Sequence, residues 1–173
     1  MAAAARIPIG QYLTTFYEPD AEYVNGEVEE RSVGEYDHNI VQRAILLWFH
    51  LYDKEWQTRT IQEQRMRPCS GNVRIPEVSV WARSVPVEQV FTHSQLIVIK
   101  VLSPEDRHSK VQEKVADYRQ FAVSHIWVDD PVERIGWDCS DGNWIRTNSF
   151  KVTDSPIYLD LESLFRELDS AEA

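Results

Sequence analysis

The stretch Leu96-Ile97-Val98-Ile99-Lys100-Val101-Leu102-Ser103-Pro104-Glu105-Asp106 decides the fold of this chain. Its first seven residues are apolar on both faces except at Lys100, the pattern of a central strand covered on both sides. Ser103 then reads as a helix N-cap, Pro104 as the first helical position, and Glu105 and Asp106 as acids favoured by the helix dipole. The helix is expected to bury Val111, Val115, Tyr118 and Ala122, spaced four, three and four residues apart. Ser124 to Asp129 (SHIWVD) returns as a strand. Residues 96–129 thus form a strand-helix-strand unit that should cross over right-handed.

Upstream, Val73 to Ala82 reads as a neighbouring strand whose apolar phase slips by one residue at Pro76, as at a bulge or an edge. The slip re-aims Glu77 onto the face of Ser79 and Trp81. Gln57 to Met66 is rich in threonine and not helical in pattern. From Asp37, a plausible N-cap, Ile40, Val41, Ala44, Ile45, Trp48, Leu51 and Tyr52 recur with the helical period. AEYV and EVEER flank Asn25-Gly26, the dipeptide of a type I′ hairpin turn. Ile9 to Tyr17 reads as a short helix with Tyr12, Leu13 and Phe16 on one side. Downstream, Ile135 to Trp137 and Trp144 to Val152 read as short strands. Leu161, Leu164, Phe165 and Leu168 mark a last helix after Asp160. The fold class is α/β with a mixed sheet.

At 173 residues, 43% hydrophobic, the chain suits one domain spanning residues 1–173. It carries 18 Lys and Arg against 28 Asp and Glu, a net charge of −10, which repels polyanions at long range and argues against a constitutive, tight nucleic-acid binder. A local basic cleft or a bound divalent cation would reverse that sign at a site. Two cysteines, Cys69 and Cys139, cannot form a dense disulfide framework, which suggests a reduced, cytoplasmic protein. No signal peptide or membrane-spanning run is expected. The five histidines and two cysteines lack zinc-ligand spacing, and no phosphate-cradling glycine motif occurs. The tryptophans in core-type patterns read as packing, and Arg65 and Arg67 as solvated strand-edge arginines.

Charged residues at strand ends and interruptions carry the candidate chemistry. A lone ammonium buried at Lys100 costs several kcal/mol and needs a carboxylate partner, for which Glu77 is the first candidate. A purely structural Lys100–Glu77 ion pair explains that pattern as well as catalysis does. Lys114, at the border of the helical stripe, would on its own lay its stem on the core and leave its head in water.

In order and spacing, AEYVNGEVEE, an amphipathic helix with a histidine near its start, RIPEVSVW, LIVIKVLSPEDR, QEKVADYRQFAV and HIWVDDP resemble a bacterial restriction endonuclease family of the PD-(D/E)XK nuclease superfamily, over roughly residues 8–168. The resemblance implies a restriction endonuclease-like fold with an αβββαβ core, helices flanking a central mixed sheet. It also implies carboxylates on adjacent strands holding Mg²⁺ or Mn²⁺, whose bound water attacks a phosphodiester. A lysine would position that water and stabilise the developing charge. Carried over, Glu77 stands where the family has an aspartate, Lys100 where it has a glutamate, and Lys114 matches a helix lysine. Glu27 matches an acidic hairpin position and His38 the histidine near the helix start. The implied catalytic set is Glu77, Lys100 and Lys114, the metal set Glu77 and Glu27, with His38 in support.

This chain departs from the pattern at Glu77, one methylene longer than aspartate, at Lys100, a cation in place of a ligand, and at Lys110, where relatives often carry an aspartate. Three readings follow. The first is a divalent-metal-dependent DNA endonuclease with an altered site, acting with Mg²⁺ or Mn²⁺ on DNA, as a homodimer if it pairs subunits as superfamily members often do. The second is a catalytically degenerate nuclease-fold protein that needs no metal and acts as a binding or interaction module. In the third, Lys100 is itself the working lysine.

Overall fold

The computed structural model describes residues 6–32, 34–67 and 71–171, so Cys69 lies outside the described residues. In chain order the elements are α1 (Ile9–Thr14), β1 (Ala21–Val24), β2 (Glu27–Glu30), α2 (Tyr36–Tyr52), β3 (Thr58–Gln62), β4 (Val78–Ala82), β5 (Ile97–Val101) and α3 (His108–Gln120). There follow β6 (His125–Asp130), β7 (Ile135–Asp138), β8 (Ile145–Thr147), β9 (Ser149–Lys151), β10 (Tyr158–Asp160) and α4 (Leu161–Ala171).

A six-stranded sheet runs β3-β4-β5-β6-β7-β8, with only β5 and β6 parallel. The succession α2-β3-β4-β5-α3-β6 is the expected helix, three strands, helix and strand. All five residues of β5 are buried because both sheet faces are covered. Ile97, Ile99, Val101 and Trp127 join Val41, Ile45 and Phe49 of α2 and Leu161, Leu164 and Phe165 of α4 in one core. Val98, Ile126 and Val128 face the other way, onto Val111, Val115 and Tyr118 of α3. Each aliphatic side chain so buried contributes about 1.5–3 kcal/mol of transfer free energy. The hairpin β1-β2 turns at Asn25 (φ 53°) and Gly26 (φ 93°), the positive pair that a type I′ turn requires.

Several boundaries differ from the sequence reading. The strand expected over Val73 to Ala82 is cut at Pro76: Val73 and Arg74 form isolated bridges to Tyr23 and Met66, and β4 begins only at Val78. Pro76 has no N–H for a ladder, and the preceding Ile75 N–H is taken by the Glu22 carboxylate at 3.0 Å. Ser103 does not cap α3. Asp106 turns back to accept from the Ser103 N–H (2.9 Å) and hydroxyl (3.0 Å), closing a turn that delays α3 to His108. Its stripe ends on buried Phe121, whereas Ala122, at φ 57°, is exposed. Helix α2 begins one residue before Asp37. Phe16 lies outside α1 and is 83% exposed, while Tyr17 stacks on Tyr12. The strand expected over Trp144 to Val152 breaks at Asn148, and β9 leaves the main sheet to pair with β10.

Candidate active site

Antiparallel register pairs Val78 with Ile99, which brings Glu77, just before β4, beside Lys100 near the C-terminal end of β5. Lys100 Nζ lies 2.8 Å from Glu77 Oε1 and 2.8 Å from Asp106 Oδ2. Asp106 is in reach because the turn after β5 folds back through its bonds to Ser103. Lys100 is 3% exposed and Glu77 4%, so the ammonium sits between two carboxylates with little water. Burial alone would raise the Glu77 carboxyl. The charges of Lys100, Lys114 and Arg31 outweigh it and hold the group below its ordinary value. Burial likewise works against the Lys100 charge, yet Glu77 and Asp106 hold its pKa above the usual lysine value. Asp106 is lowered, its burial offset chiefly by Lys100.

A second charged cluster adjoins the first. Arg74, 2% exposed, reaches Glu22 at 2.7 Å and Asp117 at 2.6 Å, with Glu29 at 3.9 Å. Lys114 Nζ lies 3.1 Å from Glu22 Oε2, so its head is paired inside rather than in water. Lys110 spans Glu29 (3.1 Å) and Glu113 (3.0 Å) at the exposed rim. Arg31 approaches Glu63 (3.6 Å) and Glu77 (3.9 Å). Burial would raise the Glu22 carboxyl, but Lys114 and Arg74 bring it below the ordinary value. Thus Arg31, Arg74, Lys100, Lys110 and Lys114 face Glu22, Glu29, Glu77, Asp106 and Asp117, with Glu63 and Glu113 as further acids at the rim, so each buried carboxylate of the cluster has a cation beside it.

Of the residues singled out from sequence, Glu77, Lys100, Lys114 and His38 come together. His38 is buried in the first turns of α2. Burial lowers its pKa, against the opposing pull of Glu77. Glu27 is placed differently. It sits at the hairpin tip with its side chain 41% exposed, paired with Arg6 at 3.9 Å. The hairpin carboxylates in the cluster are Glu22 and Glu29, which face each other in register. Sequence reasoning missed Glu22, Arg74, Asp106 and Asp117. For Asp106 the sequence carries a signal, an acid six residues beyond a strand lysine, which a favourable helix-dipole position explains equally well. Arg65 is not simply solvated, since it pairs with Asp20 at 3.3 Å and lies over the Tyr12 ring.

The donor set fits a divalent ion poorly. Mg²⁺ demands near-octahedral oxygen ligands at about 2.0–2.1 Å. The position shared by Glu77 and Asp106 holds the Lys100 ammonium, and Glu22 is engaged by Arg74 and Lys114. Among the described residues, Glu77 Oε2 is the one buried oxygen of these carboxylates without a hydrogen-bond partner. Among the described residues no group of three or more His, Cys, Asp or Glu side chains is arranged to hold a metal. Two neighbouring cavities are lined by Asp106, and neither by Glu77 or Lys100. No helix among the described residues is long and apolar enough to cross a membrane.

A solved structure from Anabaena variabilis, described as a "putative nuclease belonging to DUF820", superposes with a TM-score of 0.80 at 18% identity, covering 94% of this chain and 99% of that one. At that identity the likeness establishes the fold. A DrdV–DNA complex solved by cryo-electron microscopy matches at a TM-score of 0.44 and 14% identity, over 75% of this chain and 10% of that one, too distant to carry an argument. No curated protein matches. The family model "Uma2: Putative restriction endonuclease" matches residues 11–164. The chain therefore belongs to the Uma2 family of restriction endonuclease-like proteins.

Proposed function

We propose that this Uma2 member keeps the nuclease fold but has its metal site closed by Lys100, and that it serves as a binding module rather than a Mg²⁺- or Mn²⁺-dependent endonuclease. The observation that carries the reading is the position of Lys100 Nζ, 2.8 Å from both Glu77 and Asp106. Two carboxylates bridged by a tethered ammonium have little to gain from a divalent ion, which would have to expel a buried, paired cation first. Family membership makes DNA the first ligand class to examine.

A second reading, an active metal-dependent endonuclease, draws on the unpaired Glu77 Oε2. It requires Lys100 to swing away and free Glu77 and Asp106 for the ion, with Lys114 left to assist the attacking water. Calorimetric titration with Mn²⁺ separates the two. The closed site predicts no heat of binding for the unmodified protein and recovered binding for Lys100→Glu, which restores an acid to the strand. Mn²⁺ binding by the unmodified protein, with metal-dependent nicking of plasmid DNA, would establish the endonuclease instead.

A further inference from the structure

A cavity of about 440 Å³, lined by Asp106 but not by Lys100, lies between the start of α3 and the β7-β8 hairpin. Its size falls within the range of small-ligand sites, about 300–1,000 Å³. Leu102 and Val111 form an apolar base, and the half-buried indoles of Trp137 and Trp144 form a wall. The indoles meet edge-on with ring centres 6.1 Å apart, and the His108 ring lies 5.4 Å from Trp144. His108 and Gln112 add exposed hydrogen-bonding groups at the rim. Asp106 also lines the cavity, but its charge is answered by Lys100 and its oxygen by Ser103.

Asp106 is the charged residue lining this cleft, Asp130 and Glu133 line the cavity that shares Leu102 and Asp106 with it, and the basic groups stand outside the lining. Trp137 is directly opposite Arg146 in register, so Arg146 shares the indole face of the hairpin and is exposed there. Arg107 adjoins His108 in sequence, and the Arg119 guanidinium packs against Gly142 in the β7-β8 turn. Asp138 belongs to the opposite hairpin face, while the pKa of Asp141 on the turn is lowered chiefly by hydrogen bonds from Asn143 and in smaller part by Arg119. An aromatic wall, amide and imidazole hydrogen-bonding groups and the exposed Arg146 on the same hairpin face together suit a flat heterocycle carrying a phosphate. A lipid chain would leave the polar rim unused. An acidic peptide would leave the indoles unused.

We infer that this cleft binds a nucleobase of single-stranded nucleic acid, stacked on Trp144 with the adjoining phosphate held by Arg146. Stacking tolerates any base, because every base offers a π-face, so sequence preference is weak. A base inside a duplex is not free to enter, so single strands bind better than duplexes. The inference deepens the binding-module reading by naming the ligand and rests on it. It requires no metal.

The test is fluorescence polarisation in EDTA at low salt, with a fluorescein-labelled mixed-sequence DNA strand of a dozen nucleotides, and with the same strand in a duplex and dAMP as competitors. The strand should bind, and unlabelled strand should compete better than duplex. Trp144→Ala should weaken binding about 5- to 150-fold, the range for losing one stacked base, and Trp144→Phe should restore most of it. Arg146→Ala, at an exposed position outside the core, should lower the salt dependence by about 0.7 in log–log slope. Binding that persists unchanged in both Trp144→Ala and Arg146→Ala overturns the cleft and leaves the binding module standing. Absence of strand binding overturns the cleft and nucleic acid as the module's ligand together. Metal-dependent cleavage with normal cleft behaviour would overturn only the closed metal site.

Discussion

Replacing Lys100 by methionine isolates what its ammonium does, because methionine keeps an unbranched apolar stem and removes the charge. The change leaves Glu77 with Arg31 at 3.9 Å as its nearest recorded cation, and Asp106 with only the Ser103 N–H and hydroxyl. Removing one partner of a buried ion pair costs about 3–5 kcal/mol. For a chain of this length each kcal/mol shifts Tm by about 2–4 °C, so the expected fall is roughly 6–20 °C at neutral pH. The pH dependence gives a sharper check. Glu77 and Asp106 titrate below their ordinary values, so their contribution is present above the unfolded-chain carboxylate range and lost as pH falls through the folded values. Lys100 titrates above its ordinary value, so its contribution is full below that value and lost as pH rises through the raised one. The loss in Lys100→Met is therefore full at neutral pH and shrinks as pH falls from the ordinary carboxylate range, where the unfolded chain takes up protons, toward the lowered values at which the folded Glu77 and Asp106 do so. Adding Glu77→Gln to Lys100→Met should recover part of the loss by removing a stranded charge. Thermal unfolding followed by circular dichroism at neutral and acid pH reads all of this. A fall under about 1 kcal/mol, the scale of an exposed pair, or one that does not change with pH, would refute the claim that Lys100 bridges a dry pair of acids.

The other expectations concern groups away from Lys100. Arg74→Met leaves Glu22 with Lys114 at 3.1 Å and Asp117 with the Asn72 amide at 3.1 Å, and should cost less than the roughly 3–5 kcal/mol of a fully broken buried pair in urea unfolding. Arg74→Lys should not fully rescue it, because one ammonium cannot reproduce a fork that reaches both acids; full rescue would contradict that geometry. Asp129 is fully buried, neither of its carboxylate oxygens has a hydrogen-bond partner among the described residues, and burial, aided by Asp130, raises its pKa well above the usual range. Its folded form keeps a proton that the unfolded chain releases near pH 3.9, so its contribution falls as pH rises from there, by up to about 1.4 kcal/mol per pH unit. Asp129→Asn should remove that slope and stabilise the protein at neutral pH; an unchanged slope in urea titrations across pH would show that Asp129 has a partner.

The parts of the fold legible in the sequence were those where one local pattern had one reading. The seven apolar residues around Lys100, the 3.6-residue stripe of α2, Asn25-Gly26 and the leucine spacing of α4 each specify their element without reference to distant chain. The Lys100–Glu77 contact was legible for a related reason: a charge on a doubly covered strand must find a partner, and the neighbouring strand offered one acid. What was not legible depended on side-chain contacts that the local pattern does not choose between. Ser103 carries every mark of an N-cap, but Asp106, three residues on, takes its N–H and hydroxyl while its carboxylate is held by Lys100 at 2.8 Å. Glu22 and Glu27 sit on the same hairpin face and differ little in local sequence. Only the docking of Arg74 and Lys114 selects Glu22 for burial and leaves Glu27 at the tip. Trp137 and Trp144 resemble core residues because one side of each indole is core, and the cavity on the other side exists only where α3 meets β7-β8.

A divalent cation in a nuclease site and the Lys100 ammonium share one physical task, cancelling the repulsion between carboxylates that the fold forces together. An acid-rich version depends on its metal for that cancellation, so removing the ion exposes like charges in a medium of low dielectric. Here the cation is covalently attached, and the cluster should be stable with no ion present. EDTA is therefore expected to leave the Tm of the unmodified protein unchanged, and Mn²⁺ to leave it unchanged as well. Lys100→Glu, with Glu77 and Asp106 now facing a third acid, should melt lower in EDTA and recover with Mn²⁺, by about 2.7 kcal/mol when the ion is at a hundred times its Kd. A Tm that falls in EDTA for the unmodified protein would mean that an ion, not Lys100, balances these acids.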